Sequence, residues 1–160
     1  SQYDVDNIIR IGSAGAISPR LKLRDVVAAQ GACTNSNFAR QYGLPGQYAP
    51  IADYTLLETA VAVSRELGVE MPVGNVLSSD TFYDASGSTM KWGEMGVLAV
   101  EMEAAALYMN AAKLGKRGLA IFSISDSLVT GEELDAAQRQ TTFTTMMKIA
   151  LETAVKMSEK

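Results

Sequence analysis

The sequence has 160 residues, 48% of them apolar, which suffices for one ordinary core, so a single domain over 1–160 is expected. A net charge of -4 with scattered Lys and Arg leaves no basic face for a nucleic-acid backbone, and no apolar run has the length of a membrane span. One cysteine, Cys33, and no histidine exclude an internal disulfide, the usual zinc ligand sets and a serine-triad relay, leaving acid-base chemistry to Asp, Glu, Lys or Tyr.

A small-molecule partner is therefore expected rather than nucleic acid or membrane. The start, Ser1-Gln2-Tyr3-Asp4, lacks the basic and apolar regions of a secretory signal, which points to a cytoplasmic protein. The chain opens without Met and runs almost at once into a strand-like segment, so its true N-terminus is expected upstream.

Asn7 to Ile11 is a β-branched run that predicts a buried strand, ended by a tight turn at Gly12-Ser13-Ala14-Gly15. Arg24 to Ala29 predicts a second strand, and the Gly, Asn, Pro and Gln content of 31–50 predicts a surface excursion with a turn at Leu44-Pro45-Gly46. Leu56, Ala60, Val63 and Leu67 mark one helix face, with Asp53 or Thr55 as N-cap and Gly68 as terminator. Val73 to Asp80 predicts a strand, followed by a polar segment and a short helix from Met90 to Met95. Leu98-Ala99-Val100 leads into a helix carrying Met102, Ala105, Ala106 and Met109 that ends near Gly115. Leu119 to Ile124 is the most apolar strand and is expected to stop at Ser125-Asp126-Ser127. Phe143, Met147, Ala150, Ala154 and Met157 predict one long C-terminal helix, with Arg139 near its start. The alternation of strands and helices indicates an α/β domain, in which ligands gather where strands end.

Three strand ends carry polar residues that a purely structural strand does not need: Arg10 with Ser13, Glu101 with Glu103, and Asp126. Gly12 to Gly15 lets backbone amides approach an anion and Arg10 supplies a fork of donors suited to phosphate; a plain turn beside a surface arginine is the alternative. The run has neither the GxGxxG nor the GxSxG pattern, so neither a dinucleotide fold nor a nucleophile elbow is indicated. Of Glu101 and Glu103, one carboxylate is suited to capping helix amides and the other to accepting hydrogen bonds from a sugar diol. Asp126 follows a fully apolar strand, where partial burial favours the protonated acid, and an ordinary loop aspartate is the competing reading. At the start of a helix, Arg139 gains nothing from the dipole.

The stretches RIGSAGAI, KLRDVV, SSDTFY, VEMEAAALY, SISDS and QRQTTF together resemble bacterial purine nucleoside phosphorylases of the hexameric type, over essentially the whole chain from Asn7. That resemblance implies a three-layer α/β fold, a mixed β-sheet with flanking helices, lacking the family's N-terminal part with its PGDP-type phosphate loop. It implies phosphate contacts by Arg10 and Ser13, and ribose contacts by Met102 and Glu103. It also implies a base pocket lined by Ala14, Gly15, Phe82 and Val100, with Asp126 as catalytic acid and Arg139 as its partner. Purine nucleoside and phosphate are the implied substrates, phosphate serves as co-substrate with no other cofactor and no metal, and the implied assembly is a hexamer built as a trimer of dimers. One departure is Ser127, where many members have histidine. Nucleosidases of the same superfamily also resemble several of these stretches, and Arg10 and Arg139 are what sets a phosphorylase apart. Uridine phosphorylases share the architecture, and with the phosphate loop missing an inactive assembly module is a further reading.

Overall fold

The structure, a computed structural model, describes residues 3–159. In chain order it contains β1 (Asn7–Ala16), β2 (Val26–Thr34), a 3-10 turn (Phe38–Tyr42), α1 (Tyr54–Glu66), β3 (Val73–Ser78) and α2 (Thr89–Glu94). There follow β4 (Ala99–Glu101), α3 (Ala104–Lys113), β5 (Arg117–Ser127), α4 (Ala136–Thr142) and α5 (Thr144–Ser158). The expected mixed sheet with flanking helices is present, and the sheet curls until it closes on itself in the order β1-β4-β3-β2-β5.

The central pair is β1 with β5, parallel from Asn7 opposite Arg117 to Ala16 opposite Ser127, with a register shift between Ala14 and Gly15. Such a shift bends a strand and re-aims the side chains beyond it. β5 also pairs antiparallel with β2, and β4 bridges β3 to the last two residues of β1. α3 lies on β5 and β2, while α1 and α5 pack together against β5 and β1. The main core runs through these layers, with Leu119, Ile121, Phe122, Ile124, Leu56 and Ile149 all fully buried.

Several local expectations are met. Asp53 caps α1 by accepting from the Leu56 amide at 2.9 Å, and Gly68 takes the left-handed conformation just past its end, as an α-helix terminator does.

α3 starts at Ala104, so Met102 precedes the helix expected to carry it, and four further boundaries differ. Gly12 to Gly15 is not a turn: β1 runs straight through it, because β5 offers a parallel ladder along the whole segment and neither glycine has a positive φ. β2 begins at Val26, since Arg24 sits at φ 74, and then extends to Thr34 into the expected surface excursion. β5 does not stop before the polar triplet but carries Ser125, Asp126 and Ser127 as its last residues. The C-terminal helix is broken at Phe143, so Arg139 belongs to the separate short α4, in its last turn rather than at a helix start.

Candidate functional site

Three strand ends meet in one region and bring three of the expected site residues together. Gly15 of β1 lies opposite Val100 of β4 on one side and Asp126 of β5 on the other. Gly15 is small because a Cβ there would sit 2.7 Å from Asp126 Oδ2 and 2.8 Å from Leu128 Cδ1. The half-buried Asp126 carboxyl is thus laid against the β1 backbone, and on its other oxygen, Oδ1, it accepts from the buried Ser125 hydroxyl at 2.6 Å. The Ala14 side chain points into the core, so this residue offers the site only its backbone. Ser13 lies opposite Ser123 in the same ladder.

Beyond β5 the chain doubles back. Asp126 and Glu133 form an antiparallel bridge, the Ser127 amide donates to Glu132 O at 2.8 Å, and the Leu134 amide donates to Ser125 O at 2.8 Å. Arg139 is tied to this return segment: its Nε donates to Leu134 O at 2.9 Å and its Nη2 lies 3.9 Å from Glu133. Among the described residues no hydrogen bond or ion pair joins Arg139 to the Asp126 carboxyl. The two are neighbours through the backbone of the returning loop.

Arg10 lies two residues before Gly12 on the same face of β1. Its guanidinium covers Gly12, where a Cβ would collide with it, and sits 5.2 Å from the centre of the Phe122 ring. Its Nη2 is ion-paired with Glu103, while its Nη1 is buried and has no hydrogen-bond partner. A buried charged donor without an acceptor is costly.

Of the two glutamates, Glu101 does the capping expected of one of them. Glu101 is buried: one carboxylate oxygen accepts from the Glu103 amide at 2.8 Å and the Ala104 amide at 2.9 Å, and the other from the Ser78 hydroxyl. Burial raises its pKa above the ordinary carboxylate range, against the opposing pull of Ser78 and these amides. Capping by Glu101 fixes the backbone at Met102 and Glu103, which leaves both side chains exposed beside Arg10's strand.

Phe82 stands apart. It lies between β3 and α2, is 79% exposed, and meets the Tyr83 ring edge-on with centroids 5.0 Å apart. The segment that carries it is held by Asp84, whose carboxylate accepts from Ser86, Ser88 and Thr89. The Ser86 hydroxyl, followed by Thr89, holds that carboxyl well below the usual range.

Sequence reasoning missed the Ser125 contact, the Arg10–Glu103 ion pair and the Asp84 cluster. A serine preceding the acid, and the spacing Asp84, Ser86, Ser88, Thr89, were the available signals for two of these; nothing in the sequence marks the ion pair, whose members are 93 positions apart. Two concavities lie elsewhere, one of about 910 Å³ bordered by Cys33, Tyr48, Asn75 and Trp92, the other of about 640 Å³ between the start of β1 and α5. None of the expected site residues lines either of these two. No group of three or more His, Cys, Asp or Glu side chains among the described residues is placed to hold a metal ion. No helix among them is long and apolar enough to cross a membrane.

Residues 1–159 match the phosphorylase superfamily. Over 153 residues the chain is 48% identical to the DeoD-type purine nucleoside phosphorylase of Clostridium novyi, covering 95% of this chain and 66% of that protein. Over 154 residues it is 47% identical to the proteins of the same name from Geobacillus kaustophilus and Listeria welshimeri, covering 96% of this chain and 65% and 66% of theirs. The chain thus spans slightly under two thirds of the length of these curated relatives.

Proposed function

This chain belongs to the phosphorylase superfamily, and we propose that it serves the phosphorolysis of purine nucleosides to free base and ribose 1-phosphate. The observation that carries this reading is the buried, unpartnered Nη1 of Arg10. Hydrolysis has no use for a guanidinium placed to meet an anion, whereas phosphorolysis does. Ser13, three residues further along β1 and so on the opposite face of that strand from Arg10, is assigned to phosphate by the family resemblance alone.

Breaking an N-glycosidic bond leaves positive character on the ribose and negative charge on the departing purine. A phosphate oxygen bound at Arg10 forms the new bond to C1′ as the C1′–N9 bond breaks, and its charge stabilises the sugar. Glu103 accepts from the ribose hydroxyls, with Met102 as an apolar wall beside them. Ala14, Gly15 and Val100 border the base at the meeting of β1, β4 and β5, with Phe82 as a stacking surface. Protonated Asp126 donates its proton to purine N7 and becomes a carboxylate.

Arg139 then closes on that carboxylate as charge develops. Its tie to Leu134 O, rather than to Asp126, supports this order, because a guanidinium already on the acid would oppose protonation. Phosphate is the co-substrate and the reaction draws on no metal or other cofactor. The assembly proposed is a homo-oligomer, a hexamer formed as a trimer of dimers, working in the cytoplasm.

The test is release of base from adenosine and inosine by the full-length protein, with and without phosphate. Base release is expected to depend on phosphate, and Asp126→Asn and Arg139→Ala are each expected to lower turnover about 100-fold or more. Equal rates without phosphate would replace phosphorolysis by hydrolysis, and near-normal turnover in both variants would remove the assigned roles.

A further inference from the structure

The Arg10–Glu103 ion pair joins the two residues assigned above to different substrates, and its geometry bears on how those substrates bind. Neither terminal nitrogen of Arg10 is open to phosphate as the structure stands, since Nη2 is engaged by Glu103 and Nη1, though unpartnered, is buried. The guanidinium itself cannot swing away to escape the carboxylate, because it is wedged over Gly12 and against the Phe122 ring. Glu103 has that freedom: its side chain is 56% exposed against 26% for Arg10, and its backbone is fixed separately by the Glu101 cap.

We propose that this ion pair couples the two substrates, Glu103 acting as a brake on phosphate until a nucleoside sugar draws it off. Without nucleoside, the Glu103 carboxylate both occupies Nη2 and repels an approaching phosphate. When the ribose hydroxyls donate to Glu103, its charge is shared with the sugar and Nη2 is released. Arg10 then presents Nη2 to phosphate for a charge-assisted hydrogen bond. Linkage requires the reverse effect to be equal: phosphate, by taking Nη2, frees Glu103 for the sugar and tightens nucleoside binding by the same factor. The device delays full phosphate capture until a sugar is present to receive it.

This inference rests on the roles proposed above for Arg10 and Glu103, and the experiment separates the two. Phosphate binding to the full-length protein is measured by calorimetry alone, with a carbon-linked purine nucleoside analogue that phosphate cannot cleave, and with the 2′,3′-dideoxy form of that analogue. The hydroxylated analogue is expected to tighten phosphate about five- to tenfold, the low end of ordinary site-to-site coupling, and the dideoxy form is expected to do nothing. Glu103→Gln keeps a hydrogen-bond acceptor beside Arg10 and removes the charge, so it is expected to bind phosphate tighter than the parent without any analogue and to lose the response to the hydroxylated one. Phosphate affinity in Glu103→Gln equal to or weaker than the parent's, or an undiminished response to the analogue, would overturn the brake. Unchanged phosphate affinity in Arg10→Ala would instead remove the phosphate site itself.

Discussion

Gly15→Ala tests whether the placement of the Asp126 carboxyl limits the reaction. The backbone at Gly15 is not in the left-handed region, so alanine adds no torsional strain and the whole effect comes from its Cβ. That atom would lie 2.7 Å from Asp126 Oδ2 and 2.8 Å from Leu128 Cδ1. Leu128 is exposed and gives way. The carboxyl must retreat by about 0.7 Å to regain ordinary van der Waals separation, which breaks or stretches its 2.6 Å contact with the Ser125 hydroxyl. A proton donor works within a narrow span of heavy-atom distances, and a misplacement near 1 Å costs roughly 100-fold, so turnover on ordinary purine nucleosides is expected to fall about 10- to 100-fold. Steady-state phosphorolysis is compared for such a nucleoside and for one already methylated at N7, whose base leaves without a proton. The methylated substrate is expected to be much less affected. Rates within about twofold of the parent on the ordinary nucleoside would refute the reasoning, as would equal losses on both substrates, which would mean a blocked pocket rather than a displaced acid.

Tyr108→Phe removes a buried hydroxyl that donates to Ala29 O at 2.5 Å and accepts from the Ala120 amide at 3.0 Å, bridging β2 and β5. Two buried backbone groups lose their partner, so a loss of about 2–4 kcal/mol is expected, read as a lower midpoint in thermal denaturation; an unchanged midpoint would show that water or a strand shift replaces the bridge. Glu101→Gln removes a carboxyl whose pKa burial raises from 4.5 in the folded chain. The folded state binds this proton more tightly than the unfolded state, so the associated stabilisation is complete below about pH 4.5 and is lost as pH rises through the folded value. The midpoint of the variant relative to the parent is therefore expected to climb over that interval, and a constant difference from pH 4 to pH 8 would contradict the direction of the shift.

Much of the fold was written in local pattern. The α1 face, its Asp53 cap and its Gly68 stop each follow from the residues within a turn or two, because a helix satisfies its own backbone and needs its neighbours only for burial. The apolar content of Leu119 to Ile124 likewise announced a strand buried on both faces. The site chemistry was legible in part as residue types, two glutamates and an aspartate placed where apolar runs finish, whereas Arg10 and Ser13 stand inside β1 and not at its end.

What the sequence could not decide was whatever depends on a partner distant along the chain. Gly12 to Gly15 has turn composition, yet it is strand because β5 lies alongside and takes its hydrogen bonds; the glycines serve to admit the side chains of Arg10 and Asp126. Polar residues at 125–127 looked like a strand's end until β1 and the returning loop supplied partners for their backbone. The Arg10–Glu103 pair exists only because a capped α3 starts beside β1. Composition and periodicity act through neighbours a few residues away, whereas pairing register and the meeting of charges arise only when the closed sheet brings remote segments within hydrogen-bond reach.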